Sequence, residues 1–122
     1  MAHLNFVLLY VADPLRSAEF YSTVFGRKPV QSSAGYSMFV LDGDLKLGLW
    51  KRHDVQPSPE GAPGSVELVF SEESDQQVDD RFAEWTGNGL VIAQKPTRMG
   101  FGYTFVALDP DGHRLRVYKL AA

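Results

Sequence analysis

The sequence predicts an α+β fold: two tandem βαβββ units whose curved mixed sheets form a cleft, with the helices outside. Three observations carry that expectation. First, one segment occurs twice, as LDGDLKLGLWK at 41–51 and LDPDGHRLRVYK at 108–119. Aligned from their right-hand ends, Trp50 falls on Tyr118, Lys51 on Lys119, Leu49 on Val117 and Leu47 on Leu115. Second, each copy closes a stretch that opens with a short apolar strand and a helix. Third, a Pro/Gly-rich linker, RHDVQPSPEGAPG at 52–64, separates the two passes. The chain is read as a single domain over 1–122, with repeat halves at about 1–55 and 64–122.

Phe6–Val11 is apolar on both faces and stops at Asp13-Pro14, which reads as a buried strand. Asp13 suits an N-cap and Pro14 the first helical position, where its missing N–H costs nothing. The helix that follows carries Leu15, Ala18, Tyr21, Val24 and Phe25 as its apolar side. Arg16, Ser17 and Glu19 form its polar side, and Gly26 ends it. Extended stretches at Pro29–Ser33, Tyr36–Leu41 and Leu45–Lys51 follow, turned by Gly35 and Asp42-Gly43.

The second half repeats the plan. Val66–Phe70 is a strand, and Ser74 to Gln77 fits a capping box. A helix with Val78, Phe82 and Trp85 on one face stops before Gly87 and Gly89. Strands at Leu90–Gln94, Tyr103–Leu108 and His113–Leu120 complete the unit, the last two joined by Asp109-Pro110-Asp111-Gly112. The intervening segment KPTRMGFGY at 95–103 is compatible with a lid or with an ordinary hairpin.

Composition narrows the function. At 122 residues the chain is long enough to bury a core. A net charge of -3 and the lack of a basic tract argue against nucleic acid as a partner. The chain has no cysteine, which excludes disulfides, thiolate metal sites and a cysteine nucleophile. No stretch approaches the roughly 20 apolar residues of a membrane helix. The N-terminal segment MAHLNFVLLYVADP lacks the basic start and cleavage pattern of a signal peptide, so no membrane association and a cytoplasmic location are expected.

The stretches LYVADPLRSAEFYSTVFGRKPV and FVALDPDGHRLRVYKL resemble the glyoxalase/bleomycin-resistance/extradiol-dioxygenase (vicinal oxygen chelate) superfamily. Tyr36, GDLKLGLW ending at Trp50, Phe101-Gly102, Thr104-Phe105 and DPDGH at 109–113 are similar to its phenazine-resistance branch. The superfamily includes isomerases, dioxygenases, thiol transferases and binding proteins, so fold alone does not fix activity. Its metal-dependent members hold a divalent ion with His and Glu from the cleft strands. The resemblance places those positions at Phe6, Gly48, Glu67 and Arg116. The internal repeat pairs them in the same way, Phe6 with Glu67 and Gly48 with Arg116.

Phe6 and Gly48 offer no donor atom, and Arg116 is a permanent cation. No metal and no cofactor are therefore expected, and no catalytic residue is assigned. His3, His53 and His113 are read as exposed and unliganded. Glu67 and Arg116 are read first as a structural ion pair that neutralises two partly buried charges. The functional alternative, compatible with it, is that Arg116 binds an acidic or carbonyl group of a ligand with Glu67 holding it in place. Gly48, in mid-strand, would leave a slot for something flat or for close backbone approach.

Strand alternation places Phe6, Leu8 and Tyr10, Lys46, Gly48 and Trp50, and Arg114, Arg116 and Tyr118 away from the helices. Phe6, Tyr10 and Phe105 are read as core, and Trp50 as a rim residue. The expected ligand-binding set is Tyr36, Trp50, Glu67, Phe101, Tyr103, Arg116 and Tyr118. Together these imply a metal-free protein binding a planar aromatic antibiotic, phenazine-like, or a similar metabolite. The resemblance implies a homodimer. The alternative is a divalent-metal-dependent lyase, isomerase or dioxygenase of the same superfamily.

Overall fold

The computed structural model describes residues 2–122. They divide into two compact units, one ending at Gly61 and one spanning Ala62–Ala122. Each unit holds one α-helix and one four-stranded mixed sheet.

In the first unit β1 is Phe6–Val11, α1 Pro14–Phe25, β2 Gln31–Ser32, β3 Tyr36–Val40 and β4 Lys46–Lys51. The sheet order is β1-β4-β3-β2. β1 runs parallel to β4, while β3 is antiparallel to both β4 and β2. Asp13 caps α1 by accepting the backbone N–H groups of Leu15 and Arg16, at 3.1 and 3.3 Å. Gly26 ends the helix in the left-handed conformation at φ 66°, which a side chain would resist.

The buried side of α1 is Pro14, Ser17, Ala18 and Tyr21, so its face is turned from the expected one: Leu15 is exposed and Ser17 buried. Small side chains at 17 and 18 suit a close approach of helix to sheet. Ser37 on β3 also donates its hydroxyl to the Pro14 carbonyl at 3.1 Å. Tyr21 stacks on Phe25, which meets Phe39 edge to face. Val11, Phe39, Leu47 and Leu49 complete this core.

In the second unit β5 is Glu67–Ser71, α2 Asp75–Gly87, β6 Val91–Met99, β7 Gly102–Leu108 and β8 Arg114–Leu120. The order β5-β8-β7-β6 repeats the first sheet, again with a parallel pair (β5 and β8) and antiparallel neighbours. The Ser74 hydroxyl accepts from Gln77 N at 3.1 Å. The Gln77 side chain accepts from Glu73 N at 2.8 Å, one residue earlier than a standard capping box. Helix α2 runs through Gly87, slightly past the expected stop. Trp85 sits edge to face against both Phe70 and Phe105, and Phe82 packs on Phe105.

Strand β6 extends to Met99, so 95–99 is sheet and the 95–103 segment is an ordinary hairpin. Its two register irregularities fall between Ile92 and Gln94 and between Gln94 and Thr97.

Candidate functional site

In each unit the helix covers one sheet face and leaves the other, the open face, without a helix over it, although Thr104 and Val106 on the second sheet's open face are buried. On the first sheet the open face carries every second residue of β1, β4 and β3. Its end row is aromatic: Trp50 lies opposite Tyr10 on one side and Tyr36 on the other. Tyr10 and Trp50 meet edge to face at 6.4 Å. Tyr10 is 36% exposed, so it belongs to this open row rather than to the core. Its parity with Phe6 and Leu8 is the sequence signal that puts it there. Trp50 is half-buried at the end of β4.

One step in from the aromatic row lies Gly48, opposite Leu8 and Met38. A Cβ there would stand 2.6 Å from Leu8 Cδ2 and 2.9 Å from both Phe6 Cε1 and the Tyr36 hydroxyl. The glycine therefore leaves no open slot. Its own side-chain space is taken by three neighbours leaning over the strand. Burial pushes the Tyr36 phenol above its ordinary range, so it is a neutral hydrogen-bond donor at neutral pH.

The open face of the second sheet is organised by one guanidinium. Arg116 on β8 grips Glu67 on β5 through two parallel bonds, Nε to Oε1 at 2.8 Å and NH2 to Oε2 at 3.0 Å. Its NH1 donates to the Thr104 hydroxyl on β7 at 3.2 Å and to the side-chain amide oxygen of Gln94 on β6 at 3.4 Å. A single side chain thus ties all four strands. Thr104 in turn donates to the Val117 carbonyl at 2.8 Å. The Arg116 and Glu67 side chains are 19% and 26% exposed. Four of the five guanidinium N–H groups are used within the protein, which leaves one for a ligand.

Hydrogen bonding to Arg116 holds the Glu67 carboxyl below its usual value of 4.5, against the opposing effect of burial, with help from the positive charges of Arg116 and Arg114. A carboxyl lowered in the folded state contributes stability that is fully present above the unfolded value. That contribution is lost as pH falls through the folded one. Urea denaturation of wild type and Glu67→Gln at about pH 5 and about pH 3 checks this. Wild type is expected to lose more stability on acidification than the variant; equal losses would contradict the assigned direction.

The remaining expected site residues divide. Phe101 sits at the turn between β6 and β7, 42% exposed, with its ring edge-on to Tyr118 at 6.5 Å. These two share the neighbourhood of the open face. Tyr103 does not. It has the parity of buried Phe105, lies on the helix-covered face, and donates its hydroxyl to Asp79 of α2 at 2.7 Å. Arg98 lies over its ring and pairs with Asp75.

His113 is 9% exposed, buried rather than open as expected, because the Asp109 carboxylate folds the turn inward by accepting from His113 N and Asp111 N. His3 and His53 are exposed, His3 lying 3.7 Å from Asp44.

Strand register confirms the internal pairing. Phe6 lies opposite Lys46 as Glu67 lies opposite Arg114, and Leu8 opposite Gly48 as Val69 opposite Arg116. In both sheets the first-strand residue reaches diagonally to the same place: Phe6 to Gly48, Glu67 to Arg116. These four positions do not fit a divalent ion. Phe6 and Gly48 supply no lone pair, and both Glu67 oxygens are bound to a fixed cation. Among the described residues no group of three His, Cys, Asp or Glu side chains converges as a metal site requires.

A family model for the Glyoxalase/Bleomycin resistance protein/Dioxygenase superfamily matches residues 3–117. The phenazine antibiotic resistance protein EhpR of Enterobacter agglomerans is 33% identical over 119 residues, spanning 95% of this chain and 91% of that protein. Among solved structures, protein ATC0852 from Agrobacterium tumefaciens, determined by solution NMR, matches with a TM-score of 0.90 and 49% identity over 100% of both chains. A glyoxalase-related enzyme from Fulvimarina pelagi matches with a TM-score of 0.82 at 22% identity, covering 98% of this chain and 88% of that one, a likeness of fold alone. The chain belongs to the glyoxalase/bleomycin resistance protein/dioxygenase superfamily.

Proposed function

We propose that this protein is a metal-independent binding protein for a planar aromatic small molecule of the phenazine kind, working as a homodimer. The observation that carries the reading is the aromatic row Tyr10–Trp50–Tyr36 on an open sheet face. A flat polycyclic ligand stacks favourably on such a surface. The similarity to a phenazine antibiotic resistance protein supports the choice of ligand class.

In this reading Trp50 and Tyr36 of the first unit stack on the ligand. On the second unit, Phe101, Tyr118 and the remaining Arg116 N–H form a separate aromatic and polar surface, with Glu67 holding the guanidinium in place. Tyr103 is left out because it faces α2. In the homodimer, a second copy would cover exposed apolar side chains such as Leu8 on the first unit and Val69 on the second.

Tryptophan fluorescence tests the proposal. Of the two tryptophans, Trp85 is buried against Phe70 and Phe105, so quenching by a stacked ligand should report Trp50. Titration with phenazines, acridines and anthraquinones is expected to give saturable quenching that Trp50→Phe abolishes. No binding across that panel would overturn the reading. Light scattering is expected to give twice the chain mass; a monomer at micromolar concentration would remove the dimer from it.

A further inference from the structure

Resting on that reading, we propose that Tyr36, seated over Gly48, sets which planar ligands are accepted by donating its hydroxyl to a heteroatom of the ring system. The ligand class is then nitrogen- or oxygen-bearing polycyclic aromatics rather than hydrocarbons of the same shape.

Three observations lead here. The Tyr36 backbone is pinned by Ser33, whose hydroxyl donates to the Tyr36 carbonyl at 2.9 Å and accepts from its N–H at 3.2 Å. The ring therefore springs from a fixed point, directly opposite Trp50. The hydroxyl lies where only a glycine at 48 permits it, 2.9 Å from the position a Cβ would take, with Leu8 and Phe6 crowding the same spot. No side chain or backbone group among the described residues hydrogen-bonds this hydroxyl, which reaches solvent from a half-buried ring. With no partner in the protein, this phenolic O–H bonds water in the free protein and is available to a ligand acceptor that displaces that water. A ring nitrogen or quinone oxygen stacked beside Trp50 would provide one.

Gly48 thereby acquires a role. It is the seat that lets the tyrosine hydroxyl reach across β4 to the middle of the open face. The raised phenol pKa is consistent with donation rather than acceptance.

The experiment compares phenazine with anthracene, its carbocyclic analogue, by equilibrium titration of wild type, Tyr36→Phe and Gly48→Ala. Wild type is expected to prefer phenazine by about tenfold, the value of one well-placed hydrogen bond. Tyr36→Phe keeps the ring and should bring the preference close to one. Gly48→Ala keeps the hydroxyl but displaces it, and should do the same. A phenazine preference that persists in Tyr36→Phe would overturn the inference while leaving the binding function standing. Failure of wild type to bind either compound would overturn the functional reading and this inference with it.

Discussion

Arg116→Met is expected to destabilise the protein by about 2–3 kcal/mol, measured by urea denaturation near neutral pH. The substitution keeps an unbranched chain of similar length but removes the four guanidinium hydrogen bonds that tie β8 side chain to side chain with β5, β7 and β6, leaving the backbone ladders in place. Glu67 loses both of its bonds, and Thr104 and Gln94 lose one each. Breaking a fully buried pair costs about 3–5 kcal/mol, because the surviving charge is left unsolvated. The pair here is partly open, with side chains 19% and 26% exposed, so water relieves some of that penalty. The double variant Glu67→Leu/Arg116→Met should regain most of the loss, since it leaves no orphaned carboxylate. A cost below about 0.5 kcal/mol for the single change would mean that the pair behaves as an ordinary surface ion pair.

Trp50→Ala should weaken binding of a phenazine about tenfold to a hundredfold, since stacking a flat ring on an aromatic side chain contributes about 1–3 kcal/mol. The indole is half-buried and edge-on to Tyr10 rather than locked in the helix-covered core, so the change should affect affinity more than stability. Trp85→Ala should do the reverse. Removing that ring empties the space between Phe70 and Phe105 at a cost of about 3–5 kcal/mol. Isothermal titration and thermal unfolding on the two variants separate these effects. Unaltered affinity in Trp50→Ala would place the ligand elsewhere.

Much of the molecule is legible from strand parity and capping chemistry. Asp13-Pro14 and Ser74 mark where both helices start, because those side chains satisfy N–H groups that the helices cannot. The repeated segment supplies the register that brings Glu67 beside Arg116. Parity also assigns Tyr10 to the open face and Tyr103 to the helix face, once Phe105 is recognised as the core residue that fixes the phase of β7. Gln94 could not be found this way. Simple alternation from Ile92 would turn it toward α2, but the bulge before it reverses its face and delivers it to Arg116.

Gly48 illustrates a different limit. Its missing side chain is plain in the sequence, but whether the gap is open depends on the rotamers of Tyr36, Phe6 and Leu8, which no local pattern encodes. Likewise the turn DPDGH reads as surface, while the inward bonds of the Asp109 carboxylate bury His113.

The proposed binding needs no metal, since both Glu67 oxygens are taken up by the Arg116 guanidinium. Isothermal titration of phenazine tests it most directly. The titration is run on protein treated with EDTA and on protein supplied with zinc, nickel or manganese. The account predicts saturable binding with the same affinity under every condition. Binding that appears only with added metal, and is lost again on chelation, would contradict it.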